Sequence, residues 1–196
     1  MYTVIGTIKS RALRVIWMLE ELGLPYEHHP HMPKSEDVLR LNPSGKVPVL
    51  IEGDTVLTDS AAILNYLADR HGQFSFPCGT LDRARQDGHT FFVLDELDAT
   101  LWTAARHSFI LPKEKRVEAV KDSLKWEFET SLARLAERLG DGPYLMGETM
   151  TVPDILAANC LTWAKMAKFP PAEGAVLDYV KRMTSRPAFQ RAITNG

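Results

Sequence analysis

Asn42-Pro43-Ser44-Gly45-Lys46-Val47-Pro48-Val49-Leu50-Ile51-Glu52-Gly53-Asp54-Thr55-Val56-Leu57-Thr58-Asp59-Ser60 decides the reading of this chain. Asn42-Pro43-Ser44-Gly45 is dense turn chemistry. Val47–Ile51 is apolar and β-branched and predicts a strand, with Pro48 near its start, where a missing N–H does least damage. Glu52-Gly53-Asp54 predicts a hairpin turn and Thr55–Thr58 the returning strand. Asp59 and Ser60 then stand before Ala61-Ala62-Ile63-Leu64-Asn65-Tyr66-Leu67, a helix opened by a capping residue.

The two ends of this stretch carry chemistry. A helix N-terminus offers unpaired N–H groups and a partial positive charge, which together suit a carboxylate. Ser60 adds a hydroxyl donor, and Asp59 an acceptor for an ammonium group. Val47, before Pro48, can leave its N–H and C=O free to pair with an extended peptide, as an edge strand does. A cis Val47–Pro48 bond would hold that turn, since cis bonds are mostly confined to X-Pro. A peptide with a free amino-acid head meets all these groups. Taken piece by piece, the same segment also reads as a plain hairpin and a capped helix.

The chain has 196 residues, 45% hydrophobic and 24% charged, enough for one large or two small cores. Its formal charge is −2 with the signs interspersed, so no basic face argues for nucleic acid. No apolar run approaches the roughly 18 residues of a membrane span, and Met1–Gly6 resembles a strand more than a leader. Cys78 and Cys160 make no disulfide framework, which suits a reducing compartment. The expectation is a cytoplasmic protein without membrane or nucleic-acid partners.

Outward from the deciding stretch, Tyr2–Gly6 predicts a strand and Ser10–Leu22 a helix with Leu13, Ile16, Trp17 and Leu19 or Glu20 at helical spacings, ended by Gly23. Leu24–His29 predicts a second strand and Ser35–Leu41 a short helix. The pattern is β-α-β-α-β-β-α. Gly72–Thr80 breaks all periodicity. Beyond it everything is helical: Leu81–Arg106, Lys113–Leu139, a helix opened by Thr151-Val152-Pro153-Asp154, then 175–185 and 187–194. The expected architecture is an α/β domain over 1–75, a linker over 76–82 and an all-α domain over 83–196.

In order and spacing these pieces resemble the glutathione S-transferase family over nearly the whole length. The resemblance rests on Gly6–Val15, Leu19–Glu27, Asn42–Leu50, Leu57–Ile63, Glu96-Leu97-Asp98 with Leu101-Trp102, and Pro143–Asp154. It implies a thioredoxin-like N-terminal domain, an all-α C-terminal domain, a homodimer, and glutathione as co-substrate without a metal. By resemblance, Val47 pairs its backbone with the cysteinyl unit beside cis Pro48, and Asp59 and Ser60 hold the γ-glutamyl head. Family members usually carry Glu or Gln where Asp59, one methylene shorter, stands. Lys46 matches a position that often contacts glutathione, and Lys34 is a candidate for its glycine carboxylate.

A thiol of pKa about 8.5 is mostly protonated at neutral pH, so the protein must favour the thiolate. A hydroxyl donor at a helix N-terminus does so. Ser10 occupies the position where related bacterial sequences carry Ser, and Thr7 is the second hydroxyl of the same loop. Ser10 can equally be a plain cap, and both roles can coexist. No Cys-x-x-Cys occurs, and no Tyr occupies the first loop, so dithiol exchange and the tyrosine-type transferases match poorly. The family's Ser-Pro-Arg-Ser loop here reads Thr7-Ile8-Lys9-Ser10, without the proline.

The reaction implied is attack by the thiolate on an apolar electrophile held in an apolar cleft between domains, with Trp102, Arg106, Phe109, Trp163, Met166 and Phe169 as candidates to line it. For each aromatic, helical core is the competing role, and for Arg106 a surface ion pair. His28, His29 and His31 crowd one strand without a carboxylate or Cys at ligand spacing, which leaves a solvated strand edge as the simpler role. Besides conjugation and detoxification, two functions stay open: a non-catalytic glutathione-binding or scaffold protein, and a glutathione-dependent isomerase or peroxidase.

Overall fold

The computed structural model describes residues 1–194. The chain divides into two compact units: Met1–Pro77 together with the segment from Thr184 onward, and Cys78–Met183. The expected all-α stretch is helical to Thr194, its last two residues lie outside the described residues, and its final helix groups with the first unit.

The first unit holds a four-stranded mixed sheet in the order β2-β1-β3-β4, with β1 Tyr2–Ile5, β2 Tyr26–His29, β3 Val49–Glu52 and β4 Thr55–Thr58. β1 runs parallel to β2 and antiparallel to β3, with Ile5 opposite Val49 and Tyr2 opposite Glu52. The hairpin expected at Glu52-Gly53-Asp54 pairs Val49 with Thr58. Successive residues face opposite sides. Ile5, Val49 and Ile51 therefore pack with Val38 and Leu41 of α2, Glu36–Leu41, on one side. Helices α1, Ala12–Leu22, and α3, Ser60–His71, pack against each other, and α1 also against β1. This is the thioredoxin-like arrangement.

Helix α1 begins two residues later than its spacing predicts, at Ala12 with Arg11 in the cap position, because Thr7–Arg11 form consecutive turns. It ends at Gly23, whose left-handed backbone (φ 64°) frees its N–H to close the last turn. The last helix, α9, Pro187–Thr194, packs on α1. Trp17, fully buried, meets Phe189 edge-on at 4.8 Å between centroids. Burying a side chain of that size stabilises by roughly 2–3 kcal/mol. Arg186 grips Glu21 at 2.6 and 2.7 Å, and Arg191 reaches Glu20.

The second unit is helical. The stretch expected as one helix over 81–106 is continuous in direction but not in type: α4, Leu81–Phe92, widens into a π turn at Val93–Asp98, tightens as α5, Ala99–Ala105, and widens again at Arg106–Ile110. The helix expected from Lys113 starts only at Val120 as α6, Val120–Leu139. Before it, Lys113–Lys115 form a single 3-10 turn, and the residues around that turn are held by hydrogen bonds outside the helix. The Arg116 guanidinium donates to the Leu111 and Phe109 carbonyls, and the Val117 N–H donates to His107 Nδ1. Helices α7, Val152–Met166, and α8, Gly174–Thr184, complete the unit. Among the described residues no helix is long and apolar enough to cross a membrane.

Candidate functional site

The loop between β1 and α1 lies directly against the start of the Val47–Pro48 turn. Gly6 has φ 132°, and a Cβ placed there would fall 2.8 Å from Val47 Cβ, so only glycine allows this approach. The Gly6 N–H donates to the His29 carbonyl, while the Gly6 carbonyl accepts from His28 Nε2 at 2.8 Å. A carbonyl only accepts, so Nε2 carries the proton. The Val47–Pro48 peptide is cis.

Within that loop the two hydroxyls are differently engaged. Ser10 Oγ donates to the Thr7 carbonyl at 2.6 Å and accepts the Ala12 N–H at 3.1 Å. Ser10 thus caps the entry to α1 from outside the helix, the local bonding typical of serine near a turn. Among the described residues Thr7 Oγ1 accepts only from the Lys9 N–H, at 3.3 Å, and its own hydrogen has no acceptor there.

Lys34 and Lys46 are brought together through backbone. Lys34, with φ 67°, donates its N–H to the Gly45 carbonyl at 2.8 Å. Asn42 organises the turn, its amide donating to the Lys46 carbonyl and its oxygen accepting from Ser44 N–H and Oγ. Both lysines are exposed.

At the start of α3 the expectation of unpaired helix N–H groups needs correction. Asp59 Oδ1 takes the N–H of Ala61 at 2.9 Å and of Ala62 at 3.2 Å. A side chain this short folds back onto its own helix. Oδ2 has no partner among the described residues, and the Ser60 N–H, first in the helix, has no intrahelical acceptor. Ser60 is 4% exposed, and its Oγ accepts from Nη1 of Arg14 at 3.3 Å.

The remaining candidates lie in the second unit. Trp102 and Trp163 are half-buried, on α5 and α7. Arg106 opens the second π turn, bonded by Nη2 to Thr103 Oγ1 at 3.0 Å, with Nε buried and without a partner among the described residues. Phe109 is 66% exposed and Met166 75%. Phe169 is core: it is buried edge-on against Phe128 at 5.3 Å, which removes it from any lining role. The His29 and His31 rings stack in parallel 6.1 Å apart, with His31 3.3 Å from Asp37. No group of three or more metal-ligating side chains occurs among the described residues. Cys78 is exposed and Cys160 buried, and neither forms a disulfide.

Two residues of the loop surroundings escaped sequence reasoning. Arg14 is 1% exposed, and its signal was a lone cation inside the apolar run Ala12-Leu13-Arg14-Val15-Ile16. His28 left no local signal, because its partner Gly6 lies on the neighbouring strand.

Comparison with known proteins bears on both units. A family model described as "Glutathione S-transferase, N-terminal domain" matches residues 10–70, and one described as "Glutathione S-transferase, C-terminal domain" matches residues 86–187. The chain is 30% identical to glutathione S-transferase 3 of Zea mays over 212 residues, covering 95% of the chain and 90% of the maize protein. It is 29% identical to glutathione S-transferase GST-4.5 of Xanthomonas campestris pv. campestris, covering 82% and 80%. A solved glutathione transferase from Methylococcus capsulatus superposes with a TM-score of 0.87 at 28% identity, covering 100% and 98%. Matched in both units, in order and nearly end to end, the chain belongs to the glutathione S-transferase family.

Proposed function

We propose that the chain is a glutathione transferase that lowers the pKa of the glutathione thiol and conjugates the sulfur to a small apolar electrophile. The contact of Gly6 with Val47 supports this reading, because it brings the loop that carries Thr7 and Ser10 against a backbone edge suited to a cysteinyl unit. Val47 and Pro48 hold the peptide, Asp59 and Ser60 its γ-glutamyl head, and Lys34 and Lys46 its glycine carboxylate. Ser10 and Thr7 donate to the thiolate, and Ser10 must first release the Thr7 carbonyl. The bound thiolate then attacks the electrophilic carbon: a carbon–sulfur bond forms and the leaving group departs with its electron pair. Trp102, Arg106, Phe109 and Trp163 are proposed to contact the apolar co-substrate. The same reading makes the protein a cytoplasmic homodimer acting in detoxification.

One observation favours a second reading, binding without turnover: the Ser10 hydrogen is already taken. Turnover of chlorodinitrobenzene separates the two. Conjugation should require glutathione, and Ser10→Ala and Thr7→Val should each cost about tenfold at pH 6.5, the effect of roughly one unit of thiol pKa. The midpoint of the rate–pH profile should rise in step. Undiminished rates in both variants would remove the hydroxyls from the mechanism. Glutathione binding without any conjugation would establish the second reading.

A further inference from the structure

The guanidinium of Arg14 lies beneath the N-terminus of α3, 1% exposed, with Nη1 donating to Ser60 Oγ at 3.3 Å. A charge so buried is stable only where hydrogen-bonding partners offset its lost hydration. Its position answers a deficit at this helix end. The N–H groups of Ala61 and Ala62, which would otherwise attract an anion, are already capped by the Asp59 carboxylate. An incoming carboxylate would meet a carboxylate there. The Arg14 guanidinium acts there directly on the hydroxyl. With a guanidinium N–H on one of its lone pairs, Ser60 keeps its own hydrogen to donate outward.

We propose that Arg14 is a positioning residue for amino-acid-head recognition: through Ser60 it turns the start of α3 into a carboxylate acceptor while Asp59 takes the neighbouring ammonium. This rests on the glutathione reading and assigns the zwitterionic head to a charge pair in which the cation is buried and the anion exposed. Arg14 touches no ligand itself, so its removal should act on one ligand group alone.

The test measures calorimetric affinity for glutathione and for 4-aminobutyryl-cysteinylglycine, the same tripeptide without the α-carboxylate. The full chain is compared with Arg14→Gln, Arg14→Lys and Ser60→Ala, with melting curves checking folding. The unmodified chain should prefer glutathione by at least about tenfold, the scale of one charge-assisted hydrogen bond. Arg14→Gln should collapse that preference toward the Ser60→Ala value, with affinity for the decarboxylated analogue held. Should Arg14→Gln not fold, Arg14→Lys decides: it keeps the charge but not the fork, and a loss confined to glutathione supports the proposal. A folded Arg14 variant with undiminished preference, or equal losses for both ligands, overturns it. Failure of the unmodified chain to bind either ligand overturns the glutathione reading itself, a result separate from any behaviour of the variants.

Discussion

Two helices of this chain open with the same kind of signature, and the structure uses them differently. At α7, Asp154 is fully buried and every lone pair is directed at a donor. Oδ1 accepts from the Leu145 N–H and the Tyr179 hydroxyl, each at 2.9 Å, and Oδ2 from the Thr151 N–H at 2.8 Å and Thr151 Oγ1 at 3.2 Å. Burial pushes the Asp154 carboxyl pKa up while these four donors pull against it, and burial beside Asp154 holds the Tyr179 hydroxyl far above its usual range. At α3, Asp59 is exposed and spends only Oδ1 on its helix. The saturated cap ties a loop and two helices of one unit together. The half-used cap leaves an oxygen and a hydroxyl for something else.

The same isosteric change should separate them, and the larger effect belongs to α7. In Asp154→Asn the amide –NH2 replaces an acceptor and faces buried donors, leaving Leu145 N–H or Thr151 N–H unpaired. The expected cost is about 3 kcal/mol, or a melting temperature lower by on the order of 10 °C. Urea denaturation reads it directly. Glutathione affinity of the folded fraction should stay where it was.

Asp59→Asn should do the reverse. Asn caps a helix about as well as Asp, so stability should hold to within about 0.5 kcal/mol. The lost charge should weaken glutathione roughly tenfold, the scale of a charge-assisted bond to an ammonium. Calorimetry and a urea midpoint on one preparation give both numbers. Comparable stability losses at positions 59 and 154 would collapse the contrast between the two caps.

How far these caps could be read in advance depended on the range of the forces involved. Both signatures stand in the sequence because capping acts within four residues, as do the hairpin at Gly53 and the stop at Gly23. Which cap saturates could not be read, since Asp154 is completed by Tyr179, 25 residues away, and Ser60 by Arg14, 46 residues back. The same limit hid the packing of Phe189 on Trp17 and the Arg186–Glu21 pair, 165 residues apart. The π turns escaped because a widened turn preserves apolar spacing to within one residue. The late start of α6 escaped because Lys113–Lys115 do turn helically, but only as one 3-10 turn, after which side-chain bonds of Arg116 and His107 hold the chain out of the helix.

An unpartnered polar atom does not by itself mark a ligand site, and His89 on α4 puts that to the smallest test. Its Nδ1 is buried without a partner among the described residues, and burial, reinforced by the Arg138 charge, holds its pKa below the ordinary histidine value. The folded protein therefore binds this proton less readily than the unfolded chain, whose histidine titrates near 6.5. Above that pH both states are neutral and stability is unaffected. As pH falls through about 6.5 toward the lowered folded value, the unfolded chain takes up the proton first and stability declines. The partly buried ring makes this a shallow slope, far smaller than the loss at Asp154. Urea midpoints at pH 7 and pH 5 should differ less in His89→Leu than in the parent chain. Glutathione affinity should be equal in the two proteins at either pH, because this vacancy lies inside the helical packing of its unit and, unlike Oδ2 of Asp59, is closed to a ligand. Parallel slopes would assign the acid sensitivity to another group, and a weakened glutathione affinity would tie His89 to the site.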